Sequence, residues 1–418
     1  MLGHTRQFMH PFRRSHTELS AHDVAAARAY IADYWQNLIR HNPKQDSTLI
    51  ALPKPYVVPA HEDGREFDFP EMYYWDTFFI MQGLLDEKHK DLVLGMLENL
   101  THMYERFRII PNASRTYLMG RSHPPFLSSY ILDAYHCFGM SRPWLKKHIA
   151  IAESEYRTVW MGTAKPHHRK VYYGLSRYYD INVLHDLAEA ESGWDMTTRF
   201  GRRALNYVPV DLNSLLYKYE TDFAQVAEIL GDKHAQIAWQ RIAEERKQTM
   251  NRLMWDRLHK TFLDYNYVRK AHSLVNSLAS YYPMWAGLAN VDQAAQLVKN
   301  LRRFEHKGGL ATTELPQIQK FSTGVPTQWA YPNGWAPLHF LVVQGLRRYG
   351  YEAEARRIAM KWLSTNLDWF TKHGYFLEKY NVVQPDKPPV KGVYPTQVGF
   401  GWTNAIFERF CRDFIDTQ

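Results

Sequence analysis

Cysteine is nearly missing from this 418-residue chain: Cys137 and Cys411 are the only two, too few for a disulfide framework and not spaced as zinc ligands. Such a pair suits a reducing compartment. No apolar run approaches the ~20 residues of a membrane span, and the stretch from Met1 to Gln7 lacks the apolar core of a signal peptide, so no membrane association is expected and the cytoplasm is the expected location. Basic clusters are missing too. The formal charge is +8, but Lys and Arg fall in ones and twos, as at Arg13-Arg14, Lys146-Lys147 and Arg347-Arg348, so a nucleic-acid partner is not expected. There is no phosphate-binding glycine loop and no metal-ligand cluster, and the paired His167-His168 read as part of a surface loop. No metal or other cofactor is expected. Period-two runs long enough for useful strands are also lacking, and no shift in composition marks a linker.

What the chain has in quantity is aromatic residues, 15% of the total with 27 Tyr and 13 Trp, in a 45% hydrophobic composition that excludes disorder. Rings with one polar edge suit sugars, whose axial C–H faces are apolar while their rims demand hydrogen bonds. Large helical cores use the same residues. The length exceeds that of a usual single domain, which leaves two domains or one large closed architecture; with no linker in view, residues 1–418 read as one domain. Its rhythm is helix, loop, helix. Ser20 with Asp23 three residues on reads as a helix start, and Val24, Ala27, Ile31, Tyr34, Trp35 and Leu38 behind it form one apolar stripe. Leu212, Leu215, Leu216, Tyr219, Phe223 and Val226 mark a second helix, ended by Gly231, with Asp232 capping the next. Further stripes run through Ala294, Leu297, Val298 and Leu301, and through Ala355, Ile358, Ala359, Trp362 and Leu363.

The polar residues of interest fall in the loops between these helices. Glu191-Ser192-Gly193-Trp194-Asp195 sets one carboxylate beside a glycine, which admits close approach, and an aromatic, which excludes water; burial there raises a carboxyl pKa. By itself this is also how an N-capping aspartate beside a core tryptophan looks. An aromatic segment, Phe67 to Phe79, carries Trp75 and Asp76, read either as a sugar-binding wall, with the ring stacking and the carboxylate accepting from two hydroxyls, or as a core helix start. Pro111-Asn112 and Gly120-Arg121-Ser122-His123 crowd amide, guanidinium and imidazole groups around prolines. Gln328-Trp329-Ala330-Tyr331-Pro332-Asn333-Gly334-Trp335 holds a turn signal flanked by tryptophans and followed by a helix. Glu378-Lys379 reads in isolation as a surface ion pair.

In order along the chain, Tyr73-Tyr74-Trp75-Asp76, Pro111-Asn112, Arg121-Ser122, Glu191-Ser192-Gly193-Trp194-Asp195, Pro209-Val210-Asp211-Leu212-Asn213, Pro332-Asn333-Gly334-Trp335-Ala336-Pro337, Glu378-Lys379-Tyr380 and Gly399-Phe400-Gly401-Trp402-Thr403-Asn404 resemble the trehalase family, glycoside hydrolase family 37. The resemblance implies an all-α fold, an (α/α)6 barrel of inner and outer helices, and an inverting mechanism with Asp195 as general acid and Glu378 as general base. Inversion requires the two carboxyls roughly 6.5–9.5 Å apart, so that water fits beneath the anomeric carbon. It further implies a glucose pocket formed by Phe69, Tyr73, Trp75, Asp76, Asn112, Arg121, Ser122 and the Gly193 backbone, with His123, Gln328 and Trp335 also touching substrate.

Several departures from the family pattern cluster on the leaving-group side. Asp68-Phe69-Pro70-Glu71 stands where the family has an arginine-containing signature, and the family's Arg-Ser-Gln is Arg121-Ser122-His123. An insert that grips the second glucose is missing, since Arg177-Tyr178-Tyr179-Asp180 runs almost directly into the Asp195 loop. The family's Gln-Trp-Asp reads Gln328-Trp329-Ala330, and its glycine-rich lid is replaced by residues 384–393. The expected function is hydrolysis of a small α-glucoside, trehalose first. The alternatives are a glucosylglycerate or mannosylglycerate hydrolase of the related family 63 type, with Lys387 and Lys391 meeting a carboxylate or simply solvated, and an inactive sugar-binding relative.

Overall fold

The computed structural model describes residues 19–61, 69–315, 327–392 and 394–417; Phe67, Asp68 and Val393 lie outside them. Thirteen α-helices follow in order: α1 (Ala21–Leu38), α2 (Tyr74–Gly83), α3 (Lys90–Phe107), α4 (Leu127–Phe138), α5 (Arg142–Glu155), α6 (His185–Glu191), α7 (Val210–Leu230), α8 (Lys233–Leu253), α9 (Tyr282–Ala286), α10 (Val291–Asn300), α11 (Ala336–Arg348), α12 (Glu352–His373) and α13 (Gly401–Phe414). Apart from the short α6 they alternate between two layers. An inner ring runs α2, α13, α11, α9, α7, α4, each packed on the next, and it closes where Phe78 of α2 stacks on Phe126 at the start of α4, centroids 4.5 Å apart. Helices α1, α3, α5, α8 and α12 pack on its outside, with α10 in the same layer. This is the (α/α)6 barrel. Among the described residues strands are confined to segments of two or three residues.

Local sequence accounts for this layering. All ten residues of α2 are buried, as an apolar helix with no polar face requires. Outer helices carry a single stripe: in α1, Val24, Ala27, Ile31, Trp35 and Leu38 are buried, and the Ser20 hydroxyl accepts from the Asp23 N–H at 3.3 Å. Gly231 ends α7 in the left-handed region and Asp232 caps α8 through the Ala235 N–H at 2.9 Å, both as the sequence predicts. The turn predicted around Pro332 is made by Tyr331-Pro332, where the Asn333 N–H donates to the Ala330 carbonyl at 3.0 Å, but Asn333-Gly334-Trp335 continues from it as an extended strand that pairs antiparallel with Lys379–Asn381. Gly334 is needed there because a Cβ would collide with the Val382 side chain and the Leu310 carbonyl, so the glycine serves close packing. Among the described residues no helix is long and apolar enough to cross a membrane.

The tightest inner contact joins α2 to α13, where a Cβ on Gly83 would strike the Ala405 backbone. Gly83→Ala should therefore overpack the ring and destabilise the protein by about 1–3 kcal/mol, measured as a lowered denaturation midpoint with an unchanged m-value.

Candidate active site

The loops that precede the inner helices converge at one end of the ring and, with the first turn of α2, carry the candidate side chains. Asp76 sits in the first turn of α2, 4% exposed, with no side chain donating to it among the described residues. Burial raises its carboxyl well above the usual range, and the facing charges of Asp195 and Glu378 add to the rise. Asp195 lies on the turn after α6. Burial pushes it up to about 6, the Glu378 charge raising it further while Lys379 and Arg121 work against the rise. The Tyr394 hydroxyl points at the Asp195 Oδ2 from 3.5 Å and takes a hydrogen bond from the Gln328 amide. Glu378 stands on the strand beside Asn333–Trp335, 3% exposed, its Oε2 2.7 Å from the Lys379 ammonium. That pair is fully buried. The surface ion pair read from the sequence is therefore corrected: Lys379 is 0% exposed, with its Nζ 5.0 Å from the Trp335 ring centroid and 5.9 Å from that of Tyr394.

The remaining residues predicted for the sugar pocket divide into those facing it and those behind it. Phe69 and Tyr73 are partly exposed and meet edge to face, centroids 6.2 Å apart. Arg121 donates to Asp180 at 3.0 Å and leaves its Nε without a partner. Beside it His123 is neutral: burial and the Arg121 charge hold its imidazole well below the ordinary value. The Asn112 amide donates to the carbonyls of Ser122 and Ala190 at 3.2 and 3.3 Å, fixing one loop to the other.

Three readings change. Trp75 is 1% exposed, its ring pressed against Gly193, Trp329, Trp402 and Phe79, so it has no open face for stacking. Ser122 is completely buried and its hydroxyl is spent on the Ile110 carbonyl at 2.7 Å. Trp335 is likewise enclosed, lying flat on Trp329 at 3.8 Å and donating to the Gln328 carbonyl, so it backs the wall without offering surface.

Sequence reasoning missed the buried ionic frame behind these groups. Glu191 accepts the Ser122 and Tyr179 N–H groups, both at 2.6 Å, and is paired with Arg169. Arg199, four residues after Asp195, bonds to Asp211 at 2.6 and 2.8 Å and to Asp264 at 2.7 and 2.8 Å while lying over the Trp194 ring. Glu189 accepts from the Met196 and Thr197 N–H groups at 2.9 and 3.1 Å. Glu191 and Asp211 stand in motifs the sequence reading recognised, but Glu189, Arg169, Arg199 and Asp264 do not, and spacing alone gave no sign that Arg199 and Asp264, 65 residues apart, meet. Among the described residues no group of His, Cys, Asp or Glu is arranged to hold a metal ion. A cavity of about 540 Å³ opens at the opposite end of the ring between Gln82, Asp133, Lys218 and Gln344, and the rings of Phe78, Trp285 and Phe340 line its inner side. It contains none of the candidate residues.

A closed ring of paired helices bearing isolated carboxyls at one mouth is the frame of a glycoside hydrolase. The trehalase family model matches residues 6–184 and 182–414. The periplasmic trehalase of Xanthomonas campestris pv. campestris (strain B100) is 34% identical over 425 residues, covering 91% of this chain and 72% of the relative. Among solved structures, the neutral trehalase of Saccharomyces cerevisiae superposes with a TM-score of 0.74 at 29% identity, covering 86% of this chain and 73% of that one. The family 63 mannosylglycerate hydrolase of Thermus thermophilus bound to glucose superposes with a TM-score of 0.69 at 18% identity, covering 92% of this chain and 100% of that one, a likeness of fold. The chain belongs to the trehalase family. It is accordingly a glycoside hydrolase acting on an O-glycosidic bond.

Gly193 has φ +71°, and a Cβ there would lie 2.6 Å from the Trp75 ring. Gly193→Ala must displace the ring or the Asp195 turn, and should reduce kcat/KM by about tenfold or more while the far-ultraviolet circular dichroism stays that of the wild type.

Proposed function

We propose that the protein, acting as a single catalytic domain, hydrolyses trehalose by inversion, with Asp195 as general acid and Glu378 as general base. The observation that carries this reading is the unlike company of two facing carboxyls. Glu378 is held by an ammonium, whereas Asp195 has no ion-pair partner among the described residues and is pushed up to about 6 by burial. A buried carboxyl whose proton affinity is raised suits the acid, and the carboxylate held beside an ammonium is left for the base. Asp195 gives its proton to the glycosidic oxygen as the C1–O bond breaks. Water attacks C1 from the opposite face, and Glu378 takes the proton that this water loses. Asp76, Tyr73 and Arg121 surround the glucose that is cut free, and the Gln328 to Tyr394 hydrogen bond brings a hydroxyl to the acid.

A leaving group other than glucose is favoured by one observation. Where the insert is missing, Asp180 pairs with Arg121 and the chain turns out through Ile181, Val183 and Leu184, all more than half exposed. Lys387 and Lys391 are exposed as well. Release of glucose or mannose from trehalose, kojibiose, sucrose, glucosylglycerate and mannosylglycerate tests both readings: rapid cleavage of trehalose supports the first, and cleavage of a glycerate glycoside alone supports the second. We place the enzyme in the cytoplasm on its two free cysteines. The Xanthomonas relative is named as periplasmic, and cell fractionation decides between the two.

Asp195→Asn should abolish turnover of O-glycosides, because an amide donates no usable proton; a rate within about tenfold of wild type would remove Asp195 from the role. Glu378→Gln should also be inactive, and azide should rescue it with formation of the β-glucosyl azide. An acid must be protonated to act. The rate should therefore fall as pH rises through about 6, which a kcat/KM profile measures directly.

A further inference from the structure

Asp195 sits on a turn that the chain does not adopt readily. Met196, the next residue, has φ +65°, the left-handed region, where a side chain costs about 1–3 kcal/mol. This bend lets Trp194 bury its ring completely while Asp195, next to it, stays partly open towards Tyr394 and Glu378. It also turns two successive N–H groups, those of Met196 and Thr197, to one side, an arrangement that binds an anion. The Glu189 Oε1 fills this nest at 2.9 and 3.1 Å. Other contacts hold the same turn from the far side: the Trp329 N–H donates to the Met196 carbonyl at 3.2 Å, and the Thr197 hydroxyl donates to the Trp329 carbonyl at 3.0 Å.

Glu189 is 7% exposed and has no ion-pair partner among the described residues. A carboxylate in that position is expensive for a fold, and a plain structural cap would be served by a hydroxyl or amide. Glu189 also differs from Glu191, two residues on, whose carboxylate is neutralised by Arg169 and which ties loops together away from the acid.

We infer that Glu189 is the positioning residue of the general acid: by holding the Met196 and Thr197 N–H groups it keeps the Asp195 carboxyl aimed at the glycosidic oxygen. The inference rests on the assignment of Asp195 under Proposed function. Its consequence is selective. A misplaced acid penalises only substrates whose leaving group needs a proton. An O-glycoside does; α-glucosyl fluoride does not, because its C1–F bond breaks to release fluoride while Glu378 takes the proton of the attacking water.

The test compares full-length wild type, Glu189→Ala, Glu189→Gln and Asp195→Asn on trehalose, or on the glycoside found active in the panel, and on α-glucosyl fluoride. For Glu189→Ala, kcat on the O-glycoside should fall at least about tenfold with KM within about threefold, while fluoride turnover stays within about threefold of wild type. Glu189→Gln keeps an oxygen acceptor at the nest and should recover most of the lost rate. Asp195→Asn should show the same split more deeply. Fluoride turnover also reports that each variant has a folded site. Equal losses on both substrates in Glu189→Ala, or no loss on either, would overturn the inference. If Asp195→Asn shows the split and Glu189→Ala does not, only the positioning role falls; O-glycoside turnover by Asp195→Asn would remove the acid assignment itself.

Discussion

The structure depends on how a small number of buried cations is shared among a larger number of buried carboxylates. Arg199 serves Asp211 and Asp264, Arg169 serves Glu191, Arg246 serves Glu220, and Lys379 serves Glu378. Each of these pairs meets the cost of taking charge out of water with several hydrogen bonds or close contacts. Among the described residues Asp76, Asp195 and Glu189 are left without a cation, and burial raises all three, Asp195 to about 6 and Glu189 to about 7. Glu155, also buried without an ion pair, is held instead by the Tyr74 and Tyr219 hydroxyls and the Trp160 ring N–H. Selective neutralisation of this kind leaves carboxyls of unlike surroundings side by side at one end of a rigid helical frame.

The frame also explains why the loops can be so irregular. Each inner helix is clamped by its neighbours through aromatic and small side chains, from the Phe78–Phe126 stack to the Gly83–Ala405 approach. The segments between helices are thus free to spend their hydrogen bonds on one another. Asn112 bonds the loops of Ser122 and Ala190, and Gln328 carries Trp335, Asn333 and Tyr394 together. Few of these side chains have polar atoms left over, and the ones that do, such as the Arg121 Nε and the Gln328 Oε1, lie beside the candidate pocket.

Much of this was legible in the sequence because it is local. Helical stripes, the Ser20 and Asp232 caps and the Gly231 stop follow from spacing within a few residues, and the structure places them as read. Asp195 and Glu378 could be picked out only through the motifs around them. What could not be read depends on distant partners. Whether Glu378-Lys379 is a surface pair or a buried one is decided by Trp335 and Trp402, which arrive from other strands and helices. Trp75 looked like a sugar platform and Trp335 like a substrate contact because a tryptophan looks the same in a wall as behind it; Gly193 and Trp329 decide the matter. Pro332-Asn333-Gly334 carried a turn signal that Tyr331-Pro332 fulfils, but a strand pairing over forty residues away claims Asn333 and Gly334.

The α2 to α13 contact has a consequence for how the molecule is made. Asp76 precedes Glu378 by most of the chain, and they face each other only when the last inner helix docks against the first. A ribosome must therefore extrude the whole stretch from Asp76 to α13 before these two carboxyls can meet. The long loop that must close makes this a slow, late event. Until it happens, Asp76 lacks the facing charge of Glu378 that helps to raise its carboxyl.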